Sequence, residues 1–482
     1  MEAQHPHLGR LPIKVDTTSN GEFSPVALPP DARAAVALAR AQLEAAARRV
    51  GMTRRRYVVS LLGAAASLAA FNRAFAVAGK RGGHYALAPE APFEIAAAES
   101  TLAGDEFIFD VQLHHVNPQG AWRKAAGPDA FKWAPKSSCG QADHVECLSS
   151  GALLKDVFMD SDTAMGVLSH VPGGLDTNPL DFESAGATRA AANTLDGTER
   201  LLLHGRCMPT LPGEIDGMDA QIARYPIAAF KTYTQFGPRD GAAGFFLDDD
   251  AYGAPFIERA RKLKVRNIAV HKGLAFGPRG YQYSTARDIG PAAVRYPDMV
   301  FLVYHSGLDT GVKEGRYDPQ AKAGVDVLLR SMRDAGNPTN VYAELGSTWR
   351  FVMRDPDQAA HLLGKLLVVF GEDRILWGTD SIWYGSPQDQ ILAFRSFEIS
   401  REYQQKFGYP ALTAEAKRKI FGLNALRVYG LSSEPLRRRL ARDRVKKAKD
   451  DYRNDPRPSF ATYGPRTRRE FLALRRLSGE LP

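Results

Sequence analysis

The chain has 482 residues, of which 44% are hydrophobic and 24% charged, the balance of an ordinary soluble globular protein. Its net charge of +9 comes from residues 436–482, which hold 15 Lys and Arg against 6 Asp and Glu. The rest of the chain has no net charge. A neutral body argues against nucleic acid as the partner. We interpret residues 432–482 as a basic, solvated and partly helical tail, with a specific anionic partner as the alternative.

Three cysteines, Cys139, Cys147 and Cys207, are too few and too odd in number for a disulfide framework. Cys139, His144 and Cys147 lie close together in a loop rich in Gly and Ser. We interpret that group as structural, with a metal site as the alternative.

The N-terminal region combines a helical extension with a segment that resembles an export signal. Residues 1–51 include an Ala- and Arg-rich helical stretch, and residues 52–76 continue with Arg-Arg-Arg-Tyr, an apolar run and Ala-Phe-Ala. This order is typical of a secretory signal, and the paired arginines resemble a twin-arginine signal. We therefore predict export to the periplasm or cell envelope. The alternative is a cytoplasmic protein in which this segment is a helix packed on the body. The apolar run is too short to predict a stable membrane span.

From residue 105 onward, short apolar runs alternate with helical patterns, which predicts βα units and a parallel sheet. The predicted strands are 107–111, 164–169, 201–204 and 227–232, followed by four that end at His271, His305, Glu344 and Asp380. The predicted helices are 253–264, 285–295, 318–335, 357–369 and 413–429. We expect an α/β fold, a distorted TIM (β/α)₈ barrel over residues 105–431. The long segment 117–161 after the first strand is predicted to be a lid.

Polar side chains follow four of the predicted strands. They are Gln112 and His114 after the first strand, His271 after the fifth, His305 after the sixth and Asp380 after the eighth. The active site of a (β/α)₈ barrel gathers at the C-terminal ends of its strands. Imidazoles and a carboxylate are the ligands that hold a catalytic divalent metal. The pattern therefore favours an enzyme.

These strand ends resemble the amidohydrolase superfamily, in its amidohydrolase-related (family 2) branch. The resemblance rests on residues 110–115 (DVQLHH), 270–273 (VHKG), 304–307 (YHSG), 377–380 (WGTD) and 421–429 (FGLNALRVY), in this order and spacing. It implies one divalent metal, often zinc, with manganese or iron as alternatives. The implied ligands are a His-x-His pair, a later His and the final Asp, here positions 112, 114, 271 and 380.

This sequence departs from the family pattern at Gln112, where the first histidine is expected. A glutamine carbonyl is a weaker zinc ligand than an imidazole. Either Gln112 still coordinates, or His114, His271 and Asp380 hold the metal alone, or metal binding is weak. His115 cannot replace it easily, because adjacent residues on a strand point to opposite faces. His305 is expected beside the metal, where it would polarise a carbonyl or stabilise an oxyanion.

Five further residues are candidates for substrate binding. Lys231, ending the fourth strand, is predicted to contact a substrate carboxylate, with a salt bridge to Glu344 or Asp380 as the alternative. The others are His204 and Arg206, for which loop packing is the alternative, and the aromatic pair Trp383 and Tyr384 as pocket walls.

The leading function is a metal-dependent hydrolase of a small amide, ester or lactone, with Asp380 as the proton acceptor. The first alternative is a non-oxidative decarboxylase of an aromatic or muconate-type acid on the same scaffold. The second is a non-catalytic barrel with a degenerate metal site that acts in binding. The expected partner is a small molecule, and homo-oligomerisation is left open.

Overall fold

The barrel consists of eight parallel strands joined in sequence order around the ring. The computed structural model describes residues 10–125, 138–173, 178–194, 199–237, 243–275, 280–442 and 444–477. The strands are β1 (Ile108–Leu113), β2 (Thr163–Leu168), β3 (Leu201–Arg206), β4 (Ile227–Tyr233), β5 (Asn267–His271), β6 (Val300–Tyr304), β7 (Val341–Glu344) and β8 (Ile375–Leu376). The predicted barrel is confirmed.

Backbone hydrogen bonds between β1 and the residues after β8 close the ring. The amide of Val111 donates to the carbonyl of Trp377, and the amide of Asp380 donates to the carbonyl of Gln112. Regular pairing in β8 ends at Leu376, so Asp380 lies beyond the strand that was predicted to reach it. This closure brings the end of β8 against the end of β1, where the predicted ligands lie.

Helices cover the outside of the barrel, and long ones such as Gly253–Lys262, Val325–Asp334 and Pro356–Phe370 bury an apolar face. The long ones lie close to their predicted bounds, although Val325–Asp334 begins later than expected, after Gly324 at a φ of 82°. The outer helices are Phe182–Thr194, Met218–Arg224, Gly253–Lys262, Ile289–Arg295, Val325–Asp334, Pro356–Phe370, Gln388–Ser396, Arg401–Phe407 and the continuous run Ala414–Arg418, Lys419–Leu423 and Asn424–Val428. Shorter helical turns lie at Trp122–Ala125, His144–Leu148, Ser150–Leu154, Lys155–Met159, Tyr281–Ser284, His305–Gly307 and Thr348–Val352.

The N-terminal region packs as helices on the side of the barrel. They are Pro30–Arg49, Arg54–Val58, Leu61–Val77 and Ile95–Leu102. The apolar run of the signal-like segment is largely buried within Leu61–Val77, as the alternative interpretation expected. A two-stranded sheet of Gly83–Tyr85 and Phe397–Ile399 attaches this region to the barrel. Among the described residues, no helix is long and apolar enough to cross a membrane. Export remains a prediction.

The segment after β1 carries a disulfide between Cys139 and Cys147. This agrees with the interpretation that the cysteine group is structural. The bridge itself was not predicted, because the low cysteine count argued against a disulfide framework. Residues 126–137 of the predicted lid lie outside the described residues.

The basic tail is not wholly solvated. It forms the helices Ser433–Leu440, Arg444–Arg453 and Arg468–Leu477, and the connection between the last two contains the buried residues Ala461, Thr462 and Tyr463. The amide groups of Tyr463 and Gly464 both donate hydrogen bonds to the carbonyl of Trp383, after β8. The expectation of a solvated tail is wrong for this stretch, because its apolar residues cover the mouth of the barrel.

Candidate active site

Four predicted side chains meet at the C-terminal mouth of the barrel. The Gln112 amide nitrogen lies 3.0 Å from Asp380 Oδ1, 3.3 Å from His114 Nε2 and 3.4 Å from His305 Nε2. His114 Nε2 is also 3.3 Å from Asp380 Oδ1. Ligand atoms bound at about 2.1 Å to one metal ion lie roughly 3.0–3.4 Å apart. His114 Nε2 and Asp380 Oδ1 therefore have the spacing of two ligands on one metal ion.

Backbone carbonyls orient two of the histidines. The Nδ1 atom of His114 lies 2.7 Å from the carbonyl of Ser169, and that of His305 lies 2.7 Å from the carbonyl of Gly346. Each Nδ1 therefore carries the proton and donates it, which leaves the Nε2 lone pair directed into the cluster. An imidazole with an Nε2 lone pair is a metal ligand and cannot donate to an oxyanion. This orientation favours His305 as a ligand over its predicted oxyanion role.

An irregular segment before the first helix, residues 10–29, enters the same mouth; we call it the N-terminal strap. Asn20 Nδ2 of the strap donates to Asp380 Oδ2 at 2.8 Å and to Glu22 Oε2 at 2.5 Å. Glu22 Oε1 lies 3.5 Å from His271 Nδ1, and Glu22 Oε2 lies 3.9 Å from His305 Nε2. The donor atoms of Glu22, His271 and His305 all lie within 4.8 Å of one another.

The strap is held in place by contacts along its length. Lys14 Nζ donates to the carbonyl of Ser386 at 2.7 Å, and Asp16 forms an ion pair of 2.8 Å with Arg350. The amide of Ser19 donates to the carbonyl of Pro465 in the C-terminal tail at 2.9 Å. Asn20 and Glu22 are therefore fixed in the mouth by partners from distant parts of the chain.

The mouth holds an excess of buried carboxyl groups. Burial raises the pKa of Asp380 to about 6 and the pKa of Glu344 to about 8. Burial and the neighbouring Asp380 raise the pKa of Glu22 well above its usual range. Burial also lowers the pKa of Lys231 to about 7. Carboxyl groups that resist ionisation in this way are stabilised as anions when a cation lies among them.

Burial also keeps the histidines of the cluster neutral. Burial and the neighbouring Lys231 lower the pKa of His114 well below its ordinary value and the pKa of His305 to about 3. Burial, with His305 and Lys231, lowers the pKa of His271. Metal binding needs unprotonated imidazoles. Neutral imidazoles beside buried carboxyl groups fit a divalent cation such as zinc, and the donor set passes this chemical test.

The backbone is strained where the strands enter the mouth. His305, Ser306, Ser347 and Asp380 adopt φ values of 63°, 51°, 54° and 58°. Positive φ costs a non-glycine residue of order 1–3 kcal/mol and is concentrated at functional sites. Gly378 is required nearby, because a Cβ there would lie 1.6 Å from Glu344 Oε1. Glu344 in turn accepts from the amide of His305 at 3.0 Å, so the carboxylate ending β7 supports the ligand after β6.

A pocket opens above His114 and Asp380. Its walls are mainly apolar and come from the loops after β1 and β2, from the residues after β8 and from the tail: Val116, Trp122, Leu148, Val171, Trp383 and Leu474. Asn20 and Glu22 of the strap also line it. Of the described lining residues, Arg475 is the one that carries a guanidinium or ammonium group, and it is 8% exposed.

The predicted substrate-binding residues do not all lie at the pocket. Trp383 lines the pocket, with its ring centroid 6.4 Å from that of His114. Tyr384 is buried behind it, and its hydroxyl lies 2.6 Å from Ser347 Oγ. Lys231 is buried with its Nζ 3.5 Å from the centroid of the Tyr304 ring, and within the described chain its Nζ has no hydrogen-bond partner.

His204 and Arg206 are turned to other partners. His204 is enclosed in the barrel, where its Nδ1 lies 3.1 Å from Ser169 Oγ and its Nε2 lies 2.9 Å from the Tyr429 hydroxyl. Arg206 forms an ion pair with Glu214. Neither is among the described residues lining the pocket, so the alternative of structural packing describes their positions. His115 faces away from the cluster, as expected, with its Nε2 2.9 Å from Thr188 Oγ1.

Sequence reasoning missed Asn20, Glu22 and Arg475. All three lie outside the predicted barrel, in segments without strand periodicity. The sequence feature that bears on them is Gln112, because a weaker ligand at that position leaves room for a donor from elsewhere. That feature does not identify which carboxylate supplies it.

Comparisons with known proteins come from a family model and from solved structures. The amidohydrolase family model (Amidohydro_2) matches residues 155–431. No curated protein sequence matches the chain significantly. An uncharacterised TIM-barrel protein of Bordetella bronchiseptica is 14% identical with a TM-score of 0.43, over 67% of this chain and 98% of its own.

Two further solved structures have names that describe an activity. A 5-carboxyvanillate decarboxylase of Sphingomonas paucimobilis is 12% identical with a TM-score of 0.41, over 68% of this chain and all (100%) of its own. An amidohydrolase of Burkholderia multivorans with bound zinc is 15% identical with a TM-score of 0.42, over 68% of this chain and 100% of its own.

Proposed function

The chain belongs to the amidohydrolase family, and from this premise we propose that it is a metal-dependent hydrolase of a small amide, ester or lactone. The observation that carries the proposal is the convergence of neutral imidazoles with the Asp380 carboxylate in a buried mouth, where His114 Nε2 lies 3.3 Å from Asp380 Oδ1. Such a cluster is expensive to bury without a cation.

His114, His271, His305 and Asp380 are the residues that would hold the metal. Zinc is the expected ion, with manganese or iron as alternatives. When bound, such an ion polarises a carbonyl and makes a water molecule acidic enough to ionise near neutral pH. Gln112 donates to Asp380 and thereby orients one of its oxygens.

Asp380 is the residue that would accept the proton from the attacking water. Its Oδ2 is fixed by Asn20 at 2.8 Å and by Ser347 Oγ at 2.5 Å. The hydrogen bonds from the strap and from Ser347 keep the carboxylate in one orientation while it accepts and returns the proton.

The pocket above the cluster would hold the organic part of the substrate. Its apolar walls, including Trp122 and Trp383, fit a ring or a short hydrocarbon, and Arg475 fits a carboxylate on it. The aromatic walls also favour a second candidate, non-oxidative decarboxylation of an aromatic or muconate-type acid. In that reaction the substrate carboxylate would face the cluster instead of Arg475.

Metal content and a substrate screen test the proposal. The purified full chain is expected to bind about one equivalent of zinc or manganese and to lose activity when a chelator removes it. A panel of lactones, amides, esters and aromatic acids is then assayed, with CO₂ release measured in parallel. Hydrolysis without CO₂ supports the hydrolase, and CO₂ release supports the decarboxylase. A chain that binds no divalent metal would instead be the non-catalytic binding barrel.

A further inference from the structure

The carboxylate of Glu22 lies beside His271 and His305 although it comes from outside the barrel. Its two oxygens lie 3.5 Å from His271 Nδ1 and 3.9 Å from His305 Nε2, and its side chain is 12% exposed. Its backbone amide donates to Asn20 Oδ1 at 2.9 Å, which forms a tight turn in the strap. The carboxylate is therefore held among the ligand histidines.

Gln112, in contrast, directs its amide nitrogen and not its carbonyl oxygen into the cluster. Its amide nitrogen faces Asp380, His114 and His305, and an N–H group has no lone pair to give. Its Oε1 is turned toward Gly346, where a Cβ would lie 2.1 Å away, and it has no hydrogen-bond partner in the described chain. In this arrangement, the β1 position where the family places a histidine contributes no ligand.

We propose that Glu22 is a metal ligand of this protein and that the N-terminal strap supplies the donor that Gln112 does not. The assignment rests on the proposed function, because it assumes a bound divalent cation. A carboxylate oxygen is a suitable ligand to zinc or manganese beside imidazole nitrogens. A bound cation would also offset the repulsion between Glu22 and the neighbouring Asp380 carboxylate.

Two other roles for Glu22 make different predictions. If Glu22 only anchored the strap, its replacement would destabilise the protein whether or not metal is present. If it blocked the site against metal, its replacement would strengthen metal binding. A ligand role predicts weaker metal binding without loss of stability in the metal-free protein, since an amide in place of a buried carboxylate removes repulsion with Asp380.

The test compares the full-length wild type with Glu22→Gln and the matched control Glu44→Gln. Glu44 is an exposed carboxylate in the first helix, where it pairs with Arg48 on the surface. Zinc affinity is measured by competition with a chelator. The visible absorption of the Co²⁺-loaded proteins is recorded as a readout of coordination. Thermal unfolding is followed with EDTA and with excess zinc.

We expect Glu22→Gln to lower zinc affinity by at least about tenfold, to change the cobalt spectrum and to shrink the zinc-induced rise in melting temperature. The melting temperature in EDTA should not fall, and Glu44→Gln should match the wild type throughout. Wild-type affinity and an unchanged cobalt spectrum in Glu22→Gln would overturn the ligand role while leaving the proposed function standing. A wild type that binds neither zinc nor manganese would overturn both.

Discussion

The side-chain amide of Asn20 donates a 2.8 Å hydrogen bond to the carboxylate of Asp380, from the N-terminal strap to the end of the last barrel strand. The same amide also reaches Glu22, so one side chain orients two carboxylates of the candidate site. Groups that position metal ligands in this way typically change metal affinity by 10–100-fold when they are removed. The strap is thus part of the site as well as its cover.

Replacing Asn20 should weaken the site without unfolding the barrel. We expect Asn20→Ala to lower zinc affinity by about tenfold, because Asp380 and Glu22 lose a shared donor. The measurement is zinc competition, with Asn454→Ala, an exposed position in the tail, as the matched control. Equal affinities in the two variants would show that the strap does not orient Asp380.

Asp380→Asn should abolish most of the activity. The amide keeps the shape of the side chain but cannot accept a proton, which is expected to lower kcat by about 10²–10⁴-fold. Zinc content should fall as well, since a charged ligand is lost. Turnover of the best substrate from the screen and bound metal are compared with Asp250→Asn, a surface variant. Activity within a factor of about three of the wild type would contradict the role of Asp380.

Arg475 should determine affinity for carboxylated substrates. A charged hydrogen bond contributes about 1.5–3 kcal/mol, so Arg475→Ala should raise KM for an acidic substrate by about 10–100-fold and leave kcat nearly unchanged. Its exposed neighbour provides the control variant, Arg476→Ala. For a neutral ester of the same substrate, KM should be the same in the wild type and in Arg475→Ala. An equal rise in KM for the acid and for its ester would contradict this role of Arg475.

Acid should destabilise the fold partly through His361, far from the site. Burial and the nearby Lys365 lower the pKa of this residue to about 4, and its Nδ1 lies 2.8 Å from the Tyr409 hydroxyl. Because the unfolded chain protonates His361 at a higher pH, its stabilising contribution is full above about pH 6.5 and is lost as the pH falls toward 4. We expect a loss of roughly 1–3 kcal/mol over this range.

Urea unfolding at pH 7.5 and pH 4.5 measures this loss. The drop in free energy of unfolding should be smaller in His361→Gln than in the wild type, since glutamine does not titrate. His170, which also has a pKa lowered to about 4 by burial, keeps part of the pH dependence in both proteins. Identical drops in the two proteins would rule out the assignment to His361.

The barrel was predictable because its strands are short, fully buried and apolar. Asn267–His271 and Val300–Tyr304 each carry a continuous apolar run that ends at a polar residue. In parallel strands these ends lie on one side, so the meeting of His114, His305 and Asp380 followed from local patterns alone. The end of β8 was less predictable, since only Ile375–Leu376 pair regularly and the following residues depend on β1 for their conformation.

The remaining part of the site was not predictable, because it depends on tertiary contacts of irregular segments. The strap has no hydrophobic periodicity, and its position follows from partners such as Arg350, which is more than three hundred residues away. Arg475 lies in an Arg-rich helix where nothing local distinguishes it from Arg476. For His204 the error is the opposite one, because the sequence predicted a substrate-binding role that the structure does not show. This histidine lies in a barrel strand and forms its hydrogen bonds within the core.

The hydrogen bond from Ser19 to Pro465 joins the two ends of the described chain over the mouth of the barrel. During translation the barrel and its histidines emerge from the ribosome well before Pro465 and Arg475 do. A nascent chain that has already folded its barrel still lacks one wall of the pocket. Competence for chemistry would therefore wait for the segment that carries Pro465 and Arg475, and a product truncated before Pro465 would lack that wall of the pocket.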